Sequence, residues 1–184
     1  MIVIVDNGKG ADRLAQLIRG SKIVKPNAIP DAEAYILSDG NLTPAIEKVN
    51  VALIKSKKAP ILGIGAGYLC VGLAYGAKTK TSSCAKNERL TLAQRSPILL
   101  DLKKNFSAVV EQKLMLDVLP EEIGVIVSCQ KNPNAGIQHG ANLAAPVDSP
   151  LPHFGVHFSP ELGMEGIIVL NNFSHFVEMW KKYH

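Results

Sequence analysis

The stretch Ala59-Pro60-Ile61-Leu62-Gly63-Ile64-Gly65-Ala66-Gly67-Tyr68-Leu69-Cys70 decides the fold. Its apolar run is long enough for one strand buried on both faces, and it ends at alternating glycines. A helical pattern starts straight after them. A strand–turn–helix corner of this kind either presents a nucleophile on its central residue or turns backbone amides at the helix start toward a ligand. Here the central residue is Gly65, which has no side chain. The corner has the outline of a site and lacks the atom that a reaction there would use.

Upstream, Ile2-Val3-Ile4-Val5 is β-branched throughout and stops at Asp6-Asn7-Gly8, which predicts a second fully buried strand ending in a turn. Leu14, Leu17 and Ile18 fall at helical spacing, with Gly20 as the predicted C-cap. Ile23-Val24 and Ala34-Tyr35-Ile36-Leu37 predict further strands, the latter running into a turn at Ser38-Asp39-Gly40-Asn41. Thr43 and Pro44 read as an N-cap and a proline at the first helical position, with Ile46, Val49 and Leu53 as that helix's buried stripe. Strand and helix in alternation call for a mainly parallel sheet covered on both faces.

Past a helix ending near Gly76 the pattern changes. Ile98-Leu99-Leu100, Ala108-Val109-Val110 and Val125-Ile126-Val127 read as short strands of an antiparallel extension, with turns at Leu119-Pro120 and Asn132-Pro133-Asn134 between them. Phe154-Gly155-Val156-His157-Phe158 predicts a last strand, and Ile167, Leu170, Phe173, Val177 and Trp180 one face of a closing helix. No repeat or low-complexity tract interrupts residues 1–184, so one domain is the economical reading.

Composition narrows the function classes. With 47% hydrophobic and 20% charged residues, the 184-residue chain has the make-up of an ordinary soluble globule. The net charge is +4, but its basic residues are scattered. The longest basic run, Lys55-Ser56-Lys57-Lys58, has no interleaved aromatics and reads as a solvated helix end rather than a nucleic-acid patch. Three cysteines, Cys70, Cys84 and Cys129, show no paired spacing, which argues against a disulfide scaffold or zinc knuckle and suits a reducing cytosol. The N-terminal apolar run is too short for a signal peptide, and no segment approaches the ~18–20 apolar residues of a membrane-spanning helix. A cytoplasmic protein with no membrane or nucleic-acid partner and no cofactor is expected.

Several stretches taken together resemble the class I glutamine amidotransferase family, the triad glutaminases of GMP synthase, anthranilate synthase and their relatives. The opening, residues 1–8, is similar to the start of the archaeal GMP synthase glutaminase subunit. Ile36-Leu37-Ser38-Asp39-Gly40 stands where the family carries Leu-Ser-Gly-Gly-Pro, the loop that gives an oxyanion-hole amide. Pro60-Ile-Leu-Gly-Ile-Gly65-Ala-Gly67 stands for Pro-Ile-Leu-Gly-Ile-Cys-Leu-Gly, and Gly155-Val-His-Phe-Ser-Pro-Glu161 for Gly-Val-Gln-Phe-His-Pro-Glu. The resemblance covers essentially the whole chain and implies a flavodoxin-like three-layer α/β sandwich, its central sheet mainly parallel with an antiparallel extension.

The same resemblance implies degenerate triad positions. The nucleophilic cysteine corresponds to Gly65 and the general-base histidine to Ser159, while the orienting carboxylate remains as Glu161. The glutamine after the elbow is Leu69, and a mid-chain Ser-His pair is placed at Gln112-Lys113. Amide hydrolysis by this route needs a thiolate, a base and a group to hold the base. Asp39 in the oxyanion loop would oppose negative charge developing beside it.

Substitutes are weak on the residues themselves. Cys70 lies inside the helix near the core, where cysteine behaves as a small hydrophobe. Cys84 and Cys129 have no helix N-terminus in sight to lower their pKa. His157 shares a strand face with Ser159 but sits about 6.6 Å along it, and His153 lies about 13 Å from His157, too far for one metal. The glycines at 63, 65 and 67 miss the dinucleotide fingerprint, because Tyr68 stands where its third glycine belongs. A small-ligand site at the corner is the remaining candidate, built from Asp39, Gly40, Ala66, Gly67, Tyr68 and His157.

Two functions follow. One is a pseudo-glutaminase that works by binding a synthetase, an amidotransferase subunit or a small ligand. The other is a glutaminase subunit of GMP synthase, or a related amidotransferase or hydrolase supplying ammonia from glutamine. Turnover of glutamine separates them.

Overall fold

In the computed structural model, which describes residues 1–183, the first half alternates as expected. Its elements are β1 (Ile2–Val5), β2 (Gly8–Lys9), α1 (Ala11–Leu17), β3 (Lys22–Val24), β4 (Ala34–Leu37), β5 (Asp39–Gly40), α2 (Pro44–Ser56), β6 (Ile61–Ile64) and α3 (Ala66–Ala74). The second half adds β7 (Thr79–Thr81), β8 (Asn87–Leu92), β9 (Asn105–Val109), β10 (Leu114–Leu116), β11 (Ile123–Ser128), β12 (Gly136–His139), β13 (His153–Val156) and the closing α4 (Met164–Tyr183).

Nine strands form one sheet in the order β3-β1-β4-β6-β13-β12-β11-β8-β9. The run from β3 to β13 is parallel, and β12, β11, β8 and β9 continue it antiparallel. Two small ribbons, β2 with β5 and β7 with β10, stand outside it. Because successive strand residues point to opposite faces, each parallel strand feeds two cores. Ile4, Ile36, Leu62 and Phe154 pack with Leu14 of α1 and Val169, Phe173 and Val177 of α4. Val3, Val5, Tyr35, Leu37 and Ile61 pack with Leu53 and Ile54 of α2 and Tyr68 and Leu69 of α3. Each such fully buried side chain contributes about 1.5–3 kcal/mol, which is why the strands read as unbroken apolar runs. Gly63 lets α3 lie directly on β6: a Cβ there would meet the Gly67 carbonyl oxygen at 2.3 Å and the Tyr68 nitrogen at 2.7 Å.

The structure corrects several local expectations. Ile98-Leu99-Leu100 is no strand but a 3₁₀ turn over Pro97–Leu99. Pro97 has no amide for a ladder, and Ile98 and Leu99 both pack into the same core, whereas successive strand residues point to opposite faces. Helix α1 closes on Ile18 in extended conformation, and Gly20 (φ 73°) serves the following turn instead of capping. Thr43 caps α2 as expected, its hydroxyl accepting the Ile46 amide at 3.3 Å. The buried stripe of α2, however, is Asn50, Leu53 and Ile54, with Ile46 and Val49 half-buried. The expected turns at Asp6-Asn7-Gly8 and Ser38-Asp39-Gly40-Asn41 contain the β2–β5 ribbon. Among the described residues no helix is long and apolar enough to cross a membrane.

Candidate functional site

The carboxyl ends of β1, β4, β6 and β13 lie side by side, where open α/β sheets place their ligands. The turn after β6 is Gly65, with φ 52° and ψ −107°, a left-handed geometry that glycine takes freely and other residues take under strain. Its amide donates to the Val156 carbonyl at 3.0 Å and its carbonyl accepts from Leu69 at 3.0 Å, so the corner is tied to β13 and to α3.

Asp39 comes to this corner from the end of β4. Its Oδ1 accepts the Ala66 amide at 2.8 Å, the Gly40 amide at 2.8 Å and the Gln112 side-chain amide at 2.7 Å. Gln112 also donates to the Gly40 carbonyl at 3.0 Å and accepts from Leu114 at 3.2 Å, which fixes its orientation. A Cβ on Gly65 would lie 2.1 Å from that same Asp39 oxygen. The carboxylate therefore occupies the space a side chain at the elbow would fill, and Asp39 is only 3% exposed. The loop beneath is held by Asn7, whose amide donates to Ser38 Oγ and whose side chain donates to the Ser38 carbonyl, both at 2.9 Å. Asn50 of α2 donates to Asn7 Oδ1 at 2.9 Å, which accounts for an asparagine in a buried stripe.

The other predicted site residues divide. Gly40 and Ala66 are at the corner, but their amides are taken by Asp39 rather than turned to a ligand. Gly67 packs, since a Cβ there would meet the Leu37 carbonyl at 2.2 Å. Tyr68 points inward, its hydroxyl donating to the Asn134 carbonyl at 2.6 Å and accepting from Leu116 at 3.2 Å. His157 is 1% exposed. Its Nε2 lies 2.9 Å from the Leu114 carbonyl and its Nδ1 3.0 Å from the Asn132 side-chain amide. Those partners define a neutral imidazole with Nε2 protonated, and burial pushes its pKa down. Both rings serve the interior.

Ser159 is buried beyond β13, its amide donating to the Val109 carbonyl at 2.8 Å. Glu161 is 4% exposed, and its Oε2 has no partner among the described residues. Burial pushes its carboxyl up to about 7, with Asp39 and Glu111 adding to the rise and Lys9 opposing it. Lys9 pairs with Glu111 at 2.8 Å on the rim. Beside the corner a cleft of about 720 Å³ opens among Lys9, Asp39, Leu42, Ile46, Gln112 and Lys113. Sequence reasoning placed Gln112 at a family position but missed its bond to Asp39. The residues are 73 apart, and no local signal joins them.

The thiols lie elsewhere. Cys70 is fully buried in α3, and burial pushes it up to about 12. Cys84 is pushed up to about 11, mainly by burial, with the Cys129 sulfur beside it, a proximity that the sequence spacing does not reveal. His153 is also interior, its Nδ1 2.7 Å from the Tyr75 hydroxyl, and burial pushes it down to about 4.

The sheet and the loops at its carboxyl edge match a known set of proteins. The family model described as glutamine amidotransferase class-I matches residues 6–172. Among curated relatives, anthranilate synthase component 2 of Saccharolobus solfataricus is 30% identical over 71% of this chain and 68% of its own length. The glutamine-hydrolyzing GMP synthase subunit of Methanocaldococcus jannaschii is 28% identical over 94% of this chain and 95% of its own. A crystal structure of a protein from Thermoplasma acidophilum, named for the same GMP synthase subunit, superposes with a TM-score of 0.86. It covers 99% of this chain and 96% of that one at 18% identity, a likeness of fold. With the motifs in order along the sheet and the family match spanning nearly all of them, the chain belongs to the class-I glutamine amidotransferases.

Proposed function

We propose that this protein is a catalytically inactive class-I amidotransferase, a pseudo-glutaminase that acts in the cytoplasm by docking a synthetase subunit. The observation that carries this reading is the elbow itself. Gly65 supplies no nucleophile, and the Asp39 carboxylate fills the space where one would stand. Thioester chemistry needs a thiolate and a base, whereas Ser159 stands at the base position and both nitrogens of nearby His157 are bonded to the interior. Relatives named as subunits of GMP synthase and as a component of anthranilate synthase support a partner that carries out synthesis. The cleft beside Lys9 and Lys113 is the place for any small ligand of the protein.

The test joins an assay to a capture. Purified protein is incubated with glutamine and released ammonia is followed, alone and with lysate fractions. Tagged protein is then used to recover partners, identified by mass. No ammonia above the uncatalysed rate and stoichiometric recovery of a synthetase are expected. Sustained turnover of glutamine by the purified protein would overturn the reading, and the Ser159→Ala and His157→Ala variants would then show whether those residues carry it.

A further inference from the structure

We propose that the Gly65 corner is a built carboxylate-binding site whose resident ligand is the chain's own Asp39, and that a free small carboxylate takes its place when that side chain is removed. The donors come from three separate segments. Gly40 and Ala66 give main-chain amides at 2.8 Å each, and Gln112 gives its side-chain amide at 2.7 Å, all to the single oxygen Oδ1. Converging donors of this kind stabilise negative charge strongly, because they are fixed before the charge arrives and water is excluded. Asp39 is 3% exposed and Gln112 8%, so the site is enclosed and not a surface patch.

The arrangement explains why glycine stands at the elbow. Any side chain there would collide with the resident carboxylate, as the 2.1 Å approach shows. It also gives Gln112 a role, since its amide NH₂ is held against Gly40 and Oδ1 at once while its oxygen caps Leu114. A carboxylate lodged here closes the amide pair to any other anion, an oxyanion included. What fills the corner is independent of which partner the protein docks.

The experiment uses Asp39→Gly, which leaves the three donors facing an acetate-sized space; acetate is the missing side chain with one added hydrogen. Thermal melts and amide spectra of the labelled variant are recorded against rising sodium acetate, with sodium chloride at equal ionic strength as control. The variant is expected to melt lower than the parent and to gain at least about 2 °C, saturably, with acetate but not chloride. The Gly40 and Ala66 amide resonances should move along the same saturation curve, and neither effect should appear in the parent protein. Acetate acting no better than chloride on the variant, or moving the parent's amides equally, would overturn the proposal. Should Asp39→Gly fold only with acetate present, the proposal is supported. Should it fold in neither salt while Asp39→Asn, which keeps an acceptor oxygen, folds in both, the proposal fails.

Discussion

A side chain placed at the elbow should damage this protein. Gly65→Cys places a Cβ 2.1 Å from Asp39 Oδ1 and 2.2 Å from its Cγ, so the carboxylate must leave its seat. The elbow conformation itself, at φ 52° and ψ −107°, costs a non-glycine residue about 1–3 kcal/mol. Displacing Asp39 breaks three hydrogen bonds, together worth about 3 kcal/mol at roughly 1 kcal/mol each. The sum is about 4–6 kcal/mol, and for a chain of this length each kcal/mol lowers the Tm by about 2–4 °C, so a fall on the order of 10 °C or more is expected. Asp39→Gly alone loses only the bonds, about 3 kcal/mol. In Asp39→Gly/Gly65→Cys the bonds are lost once and the collision is gone. The double variant should therefore be more stable than additivity predicts by about 3 kcal/mol. Urea or thermal unfolding of the four proteins of this cycle measures the coupling. Additive effects, or a Gly65→Cys protein as stable as the parent, would refute an elbow filled by Asp39.

Other consequences are as direct. Glu161 has a folded pKa raised to about 7, above the ordinary 4.5, so burial penalises its charged form. Its contribution is neutral below the unfolded value and turns unfavourable as pH rises from 4.5 through 7, reaching roughly 3 kcal/mol. Glu161→Gln should accordingly raise the Tm at pH 8 and leave it unchanged near pH 4, and a lower Tm at pH 8 would count against a carboxylate whose charge is penalised by burial. Gly63→Ala drives a methyl into the Gly67 carbonyl and the Tyr68 amide, and should cost about 1–3 kcal/mol or more as α3 lifts from β6. Urea unfolding reads that loss, and no loss would mean that α3 does not lie on β6. With the Cys70 thiol pushed up to about 12 and that of Cys84 to about 11, neither is a thiolate at neutral pH. Peptide mapping after iodoacetamide should find buried Cys70 unlabelled and half-buried Cys84 labelled only slowly in the native protein, and both labelled in urea; rapid native labelling of either would refute the raised pKa values.

The apolar runs at Ile2–Val5, Ala34–Leu37 and Ile61–Ile64 determined by themselves a parallel sheet buried on both faces. A strand covered twice must be apolar at every position, and that signature is local. The elbow was equally legible, because a glycine between a strand and a helix is a backbone statement confined to a few residues. So was the absence of a thiol at position 65 and of an imidazole at position 159, since each is the identity of a single residue. The strands β8 and β12 escaped the sequence, since Asn87, Glu88 and Arg89 or Gln138 carry polar side chains on an antiparallel extension where one face need not be apolar. Ile98-Leu99 misled because an apolar run of that length fits a strand and a 3₁₀ turn alike, and only packing against α4 separates them. Tertiary structure alone decided the site. Asp39 meets Ala66 across 27 residues and Gln112 across 73, and His157 is claimed by Leu114 and Asn132. Hydrogen bonds of that reach depend on where the sheet brings loop ends together, and the chemistry of a single residue, read in its place along the chain, does not say which distant amide it will find.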